Sequence, residues 1–345
     1  MTANLPAAGR ARAYLEFLVA VIYFFVARSL ARRMAGILAG DGWTPLAEAA
    51  ILLVLLLVGF AAFGMIFDRQ RRPVGEQGLP LRRGWLREAG TGLAVGWGIA
   101  LVCVIPLALG SGIAIVLSTQ TSSWGWFAAD ALFFALLAMA EEVAFRGYGF
   151  QRFLRVVGPV GAMVGYAGFY AVMQAFQPGS SRTSLVVSVL LSVLLSTCYV
   201  RTRALWLSWG LNFGWKASRA LLFGLAVSGV SSHSSVVEGD PMGPFWLTGG
   251  GYGLDGSWLA AFVLLAAFPV IFRVTRDLDF EHNAPVIVPG GIPVELDAAA
   301  RAQHEAQHGS VESAPPSLIQ ILPAAPSPAS NPTENLADGE RSGTR

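Results

Sequence analysis

The sequence predicts an all-α, polytopic membrane helix bundle with about eight transmembrane helices. Three observations carry that expectation. Charged residues make up only 13% of the 345-residue chain and hydrophobic residues 54%, whereas a soluble domain carries roughly 25% charge. Mean hydropathy is +0.55. The apolar residues also fall in blocks near the ~20 residues that cross a bilayer as a helix.

The candidate spans are residues 13–30, 46–67, 91–117, 124–146, 157–176, 184–200, 204–226 and 257–273. Arg10 and Arg12 precede the first span, as in a signal peptide. No small-x-small cleavage site follows its long apolar stretch, so a retained anchor is expected. Basic residues between spans set orientation. Arg69, Arg71, Arg72, Arg82, Arg83 and Arg87 place the connection after span two in the cytoplasm. Arg152 and Arg155, Arg201 and Arg203, and Arg273 and Arg276 agree, while 118–123 and 227–256 contain no Lys or Arg. Both termini are therefore expected in the cytoplasm. Arg28, Arg32 and Arg33 dissent, and the 28–45 connection is expected to lie along the interface or to mark a misplaced first span.

Three regions follow from this pattern. Residues 1–90 hold two spans and an interfacial segment, in which 79–90 mixes Arg with Leu and Trp. Residues 91–276 form the transmembrane core. Residues 277–345, rich in Pro, Ala and Ser, are expected to be a disordered cytoplasmic tail. The formal net charge of +2 gives no reason to expect a nucleic-acid partner; the bilayer itself is the expected one. Cys103 and Cys198 lie in apolar blocks, where a thiol acts as a small hydrophobe, and neither suggests a disulfide or metal site.

Glu141, Glu142 and Arg146 stand near the cytoplasmic end of the fourth span. Ionisable groups there cost on the order of 2.5–3.5 kcal/mol each and mark functional cavities. Glu142 and Arg146 are four apart and share a face, while Glu141 points about 100° away, towards a cavity. The bland alternative is a salt bridge at a helix end, but one arginine cannot neutralise two glutamates. Gln174 lies in span five; Asn212 and Lys216 lie one turn apart in span seven. Lys216, the chain's single lysine, needs a carboxylate partner at that depth, and Glu141 and Glu142 are the candidates. For Gln174 and Asn212, ordinary interhelical hydrogen bonding is the competing account.

Glu141-Glu142-Val-Ala-Phe-Arg146 resembles the EExxxR signature of the CPBP intramembrane metalloproteases, the CAAX-protease and bacteriocin-processing group. Gly168–Pro178, Leu205–Lys216, Phe223–Gly229 and Leu247–Gly256 are similar to later family segments in the same order. The resemblance implies a peptide-bond hydrolase with zinc at the site, and the expected location is the bacterial inner (plasma) membrane. It also implies Glu141 as general base, with Glu142 beside it and Arg146 orienting the pair. Where the family has its two histidines and final asparagine, this chain has Gln174, Asn212 and Lys216. Neutral amides are poor zinc donors and an ammonium repels a dication, so no metal is expected.

The expected function is that of a non-catalytic relative, a pseudoenzyme binding a membrane peptide or partner protein. The alternatives are an active endopeptidase using Glu141 and Glu142 as base, and a proton relay or transporter. His304-Glu-Ala-Gln-His308 reads as HExxH, but its flanks offer no packed helix, third ligand or cleft, so it is a chance occurrence. His233, in a Ser-rich loop, is expected to be solvated.

Overall fold

The fold comes from a computed structural model that describes residues 7–276 other than 41, 111 and 119. The tail from 277 onward, with His282, His304 and His308, lies outside the described residues. The described residues fall within one compact unit.

Two long helices, α1 (Ala7–Leu38) and α2 (Thr44–Asp68), run antiparallel. Tyr23 donates its hydroxyl to the Leu55 carbonyl at 2.6 Å, and Arg32 Nε faces Glu48 Oε1 at 3.7 Å. A single turn, α3 (Pro73–Glu76), leads to α4 (Trp85–Leu109). Next come strand β1 (Ile113–Leu117), α5 (Thr121–Arg146) and α6 (Tyr148–Ala175). α6 breaks at Gly158, whose φ of 78° lies outside the helical region, directly before Pro159. Proline disfavours helical backbone at the residue before it, and only glycine takes this φ without strain.

α7 (Arg182–Thr202) opens on a capping box: Ser181 Oγ accepts from the Ser184 amide at 3.1 Å, and Ser184 Oγ from the Ser181 amide at 2.8 Å. α8 (Trp206–Ala217) continues as one π-helical turn, Ser218–Leu222. Strand β2 (Val237–Pro241), the short α9 (Phe245–Thr248), two 3-10 turns and α10 (Trp258–Val274) complete the order. β1 and β2 pair antiparallel, with Ile115 opposite Gly239.

Among the described residues, four helices are long and apolar enough to cross a membrane: Ala8–Leu38, Thr44–Asp68, Trp85–Leu109 and Arg182–Thr202. α10 is apolar but has 17 residues, and α8 has 12. An all-α membrane bundle is thus borne out in outline, while the expected count of about eight spans is not confirmed. α5 carries Asp130, Glu141, Glu142 and Arg146 within its 26 residues.

Several boundaries differ from expectation. The third helix begins at Trp85 and ends at Leu109, so 113–117 is strand rather than span. Residues 79–84 are non-helical and 85–90 are the first turns of α4, not a separate interfacial helix. The predicted span 204–226 stops being helical at Leu222. Arg28, Arg32 and Arg33 lie inside α1 rather than in a loop, because the helix runs on to Leu38.

α8 is held against α4 by reciprocal small residues. A Cβ on Gly92 or Gly96 would lie 2.1 or 2.2 Å from the carbonyl oxygen of Leu207 or Leu211, and one on Gly210 would lie 2.1 Å from that of Ala89. Gly92-x-x-x-Gly96 and Gly210-x-x-x-Gly214 therefore let the two backbones touch, as small-xxx-small faces do in membranes. Buried apolar side chains gather mainly in two clusters, one among α4, α7, α8 and α10, the other among α1, α2, α5 and α6. The polar residues of α5 and α8 meet between them.

Candidate functional site

With its glycine face committed to α4, α8 presents the opposite face, carrying Asn212 and Lys216, to α5. Trp209 fixes this docking by donating its indole N–H to the Ala135 carbonyl of α5 at 3.0 Å. Five of the six singled-out residues then form one network. Lys216 Nζ lies 2.5 Å from both carboxylate oxygens of Glu141. Asn212 Nδ2 donates to Glu141 Oε2 at 2.9 Å and to Glu142 Oε1 at 3.1 Å. The orientation of that amide is the one the two flanking carboxylates require.

Arg146, four residues on, donates to Glu142 Oε1 at 3.1 Å. Its remaining N–H groups reach α7: the Ser192 carbonyl at 3.0 Å, Ser192 Oγ at 3.1 Å and Ser196 Oγ at 3.4 Å. Arg146 thus completes the network as its fifth member. Two cations face two carboxylates and the charges close within the site. Buried ion pairs of this kind are held where neighbouring dipoles satisfy part of what the partner leaves over.

Gln174 is placed differently. Its Nε2 donates to Tyr170 Oη at 3.2 Å on its own helix and reaches neither glutamate. It lines, with Glu141, Lys216 and Tyr170, a cavity of about 310 Å³ whose other walls include Phe133, Phe134 and Leu137 of α5. Glu142 and Asn212 do not line that cavity. Glu142 is fully buried, while the Glu141 side chain keeps 19% of its exposure. The helical spacing had already separated the two roles, Glu142 paired inward and Glu141 facing the space. Among the described residues, Glu142 Oε2 and Asn212 Oδ1 are buried without a hydrogen-bond donor.

Other buried polar groups escaped the sequence reading. The expectation that Glu141 and Glu142 are the only carboxylates in such settings is corrected by Asp255 and Asp130, both of which are buried. Asp255 accepts from the Ser228 amide at 3.0 Å and hydroxyl at 2.9 Å, and lies 2.9 Å from Arg219 Nη1. Arg219 also stacks on Trp215 at 3.9 Å. Nothing local flags Asp255, because it sits in a Gly-rich loop that reads as exposed. Ser192 and Ser196 did leave a signal: Ser184, Ser188, Ser192 and Ser196 recur every fourth residue and all are buried. His233 is not simply solvated. Its Nδ1 lies 3.1 Å from Asp130 Oδ1, and its ring stacks on Trp126.

Comparison with known proteins adds one match. Residues 120–218 fit the family model described as Type II CAAX prenyl endopeptidase Rce1-like, a stretch that runs from the start of α5 to just past the end of α8. The resemblance drawn from the EExxxR segment is borne out there, and all six singled-out residues fall inside it. No characterised protein and no solved structure matches the chain.

Proposed function

We propose that this membrane-embedded chain, an Rce1-like CAAX-protease relative over residues 120–218, binds a membrane peptide or partner protein in its cavity without cutting it. One observation carries the proposal: both oxygens of Glu141 are held by Lys216 Nζ at 2.5 Å. A carboxylate engaged in this way is a poor base, because abstracting a proton from water would first require breaking the ion pair. Zinc does not suit these residues either. The Asn212 amide turns its nitrogen towards the glutamates, Gln174 is bonded to Tyr170, and Lys216 brings a positive charge to the carboxylate that faces the cavity. Zinc prefers imidazole and thiolate donors over neutral amides.

Peptide binding agrees with the cavity's make-up, a mostly apolar wall around a few convergent polar groups. We place the protein in the bacterial inner (plasma) membrane, with both termini cytoplasmic, as the arginine pattern suggests.

The test is made on the full chain carrying His304→Ala and His308→Ala, so that the tail cannot contribute metal. The purified protein should hold well under one zinc per chain and leave membrane-inserted test peptides intact. One zinc per chain, lost on Glu141→Ala, would overturn the proposal. So would peptide cleavage that disappears in Glu141→Gln.

A further inference from the structure

The segment 69–87, which joins α2 to the first turn of α4, gathers charge that the bundle does not use. Of its six arginines only Arg82 is paired, with Glu88 at 2.8 Å. Arg69, Arg71, Arg72, Arg83 and Arg87 are exposed and have no ion pair or side-chain hydrogen bond among the described residues. The nearby Asp68 is engaged by Arg152 and Arg155 of α6. Exposed Glu76 is the one free carboxylate of the segment, so five free arginines face a single acid. The adjoining cluster of Arg12, Arg152 and Arg155 with Glu16 and Asp68 adds to this surplus and does not offset it.

The level of these arginines is set by α2, which runs 19 residues from Ala49 to Phe67 without a charge. At 1.5 Å per residue that is about 28 Å, close to the ~30 Å of hydrocarbon in a bilayer. Asp68 and Arg69 therefore leave the apolar slab where the headgroups begin. The segment is held in place there by the α7–α8 junction. The Leu205 amide donates to the Gly78 carbonyl at 2.7 Å and the Trp206 indole to the Pro80 carbonyl at 2.9 Å. Arg82 reaches the Thr202 carbonyl at 2.9 Å. With Gln77 and Leu79 buried by these contacts, Leu81 and Leu86 are turned outward among the arginines, 78% and 66% exposed.

We infer that the 69–87 face binds the anionic phospholipid headgroups of the leaflet it meets, with Leu81 and Leu86 entering the acyl boundary. Guanidinium groups match phosphate oxygens bidentately, and a basic segment directly beyond a membrane span draws anionic lipid. Exposed leucines set among arginines suit a surface that is anionic outside and apolar just beneath, which a soluble acidic protein does not offer. None of these arginines lines the cavity, so the inference stands apart from the proposed peptide site.

The experiment is native mass spectrometry of the full chain in a neutral detergent. Phosphatidylglycerol and phosphatidylcholine with identical acyl chains are added in equal amounts. The wild type should retain phosphatidylglycerol about tenfold better, the scale of one or two cations at an anionic surface. Arg83→Gln with Arg87→Gln, and separately Arg69→Gln with Arg71→Gln and Arg72→Gln, should each lower that ratio by about twofold or more. All five changes together should bring it near one, and the five corresponding lysine changes should keep most of it. Arg182→Gln, exposed at the start of α7 and so at the opposite end of the bundle, should leave it unchanged. Leu81→Gln should weaken retention of both lipids alike. Equal retention of the two lipids by the wild type would overturn the inference, as would a preference that survives both partial sets of glutamine changes. Displacement of phosphatidylglycerol by glycerol phosphate would assign the face to a free phosphate, and tighter capture of an oligoglutamate peptide would assign it to an acidic protein. Either result would refute the lipid assignment.

Discussion

Replacing Lys216 with methionine keeps the length and apolar stem of the side chain and removes only its charge. The Lys216 side chain is 6% exposed and Glu141 is 19% exposed, so the pair is mostly but not wholly sheltered. Severing a buried pair costs about 3–5 kcal/mol, because the surviving charge is left uncompensated. Glu141 retains the Asn212 amide and faces the cavity, which places the expected loss at the low end, about 3 kcal/mol. The assay is thermal unfolding of the purified protein in one detergent, alongside Glu141→Gln and the double variant. If the cost is the stranded carboxylate, adding Glu141→Gln to Lys216→Met should recover about 1–2 kcal/mol, a coupling within the usual range for contacting residues. A melting temperature unchanged in Lys216→Met would refute the pairing. A double variant no better than the sum of the singles would refute the explanation even if the single is destabilised.

Arg146→Met should be more damaging than Lys216→Met. It strands the fully buried Glu142 and unpairs Ser192 and Ser196, so little folded protein should survive in size-exclusion profiles after solubilisation. Gly210→Val should force α8 from α4, since even a Cβ there would lie 2.1 Å from a carbonyl oxygen. A cost of about 3 kcal/mol or more is expected, at or beyond the usual overpacking range. Gly98→Ala, with nothing within 4 Å of the added carbon, is the matched control and should be neutral or slightly stabilising by protease resistance. Asp255→Asn should lower the melting temperature by several degrees by leaving Arg219 without its carboxylate. Binding of a fluorescent membrane peptide should fall when the cavity is filled by Leu137→Trp and should be spared by Leu132→Trp, which is exposed on the same helix.

Membrane residence was legible from composition, because a chain this apolar has few other stable forms. The Glu141, Glu142 and Arg146 roles were legible from helical spacing, and the Lys216 partnership from the cost of burying a lone ammonium. Those inferences depend on local geometry and on charge, which a linear sequence records directly. What was missed depends on tertiary proximity. Residues 113–117 read as the end of a span because Ile, Val and Leu suit lipid, and only pairing with 237–241 makes them a strand. Asp255 and Asp130 carry no local signal, because their partners Arg219 and His233 come from far along the chain. The small faces of α4 and α8 were visible as two GxxxG spacings, yet they were read as nothing more than apolar span.

The β1–β2 ribbon has a mechanical meaning. It ties the chain just beyond α4 to the chain beyond α8, the same two helices whose glycine faces already touch. Joined along their length and again past their ends, α4 and α8 behave as a single beam, and Lys216 is fixed to that beam. The pair α1 and α2 has no such second tie to α8 among the described contacts. Glu141 meets Lys216 from α5, which packs against α2 as well as α8, so the ion pair couples that beam to the α1–α2 side.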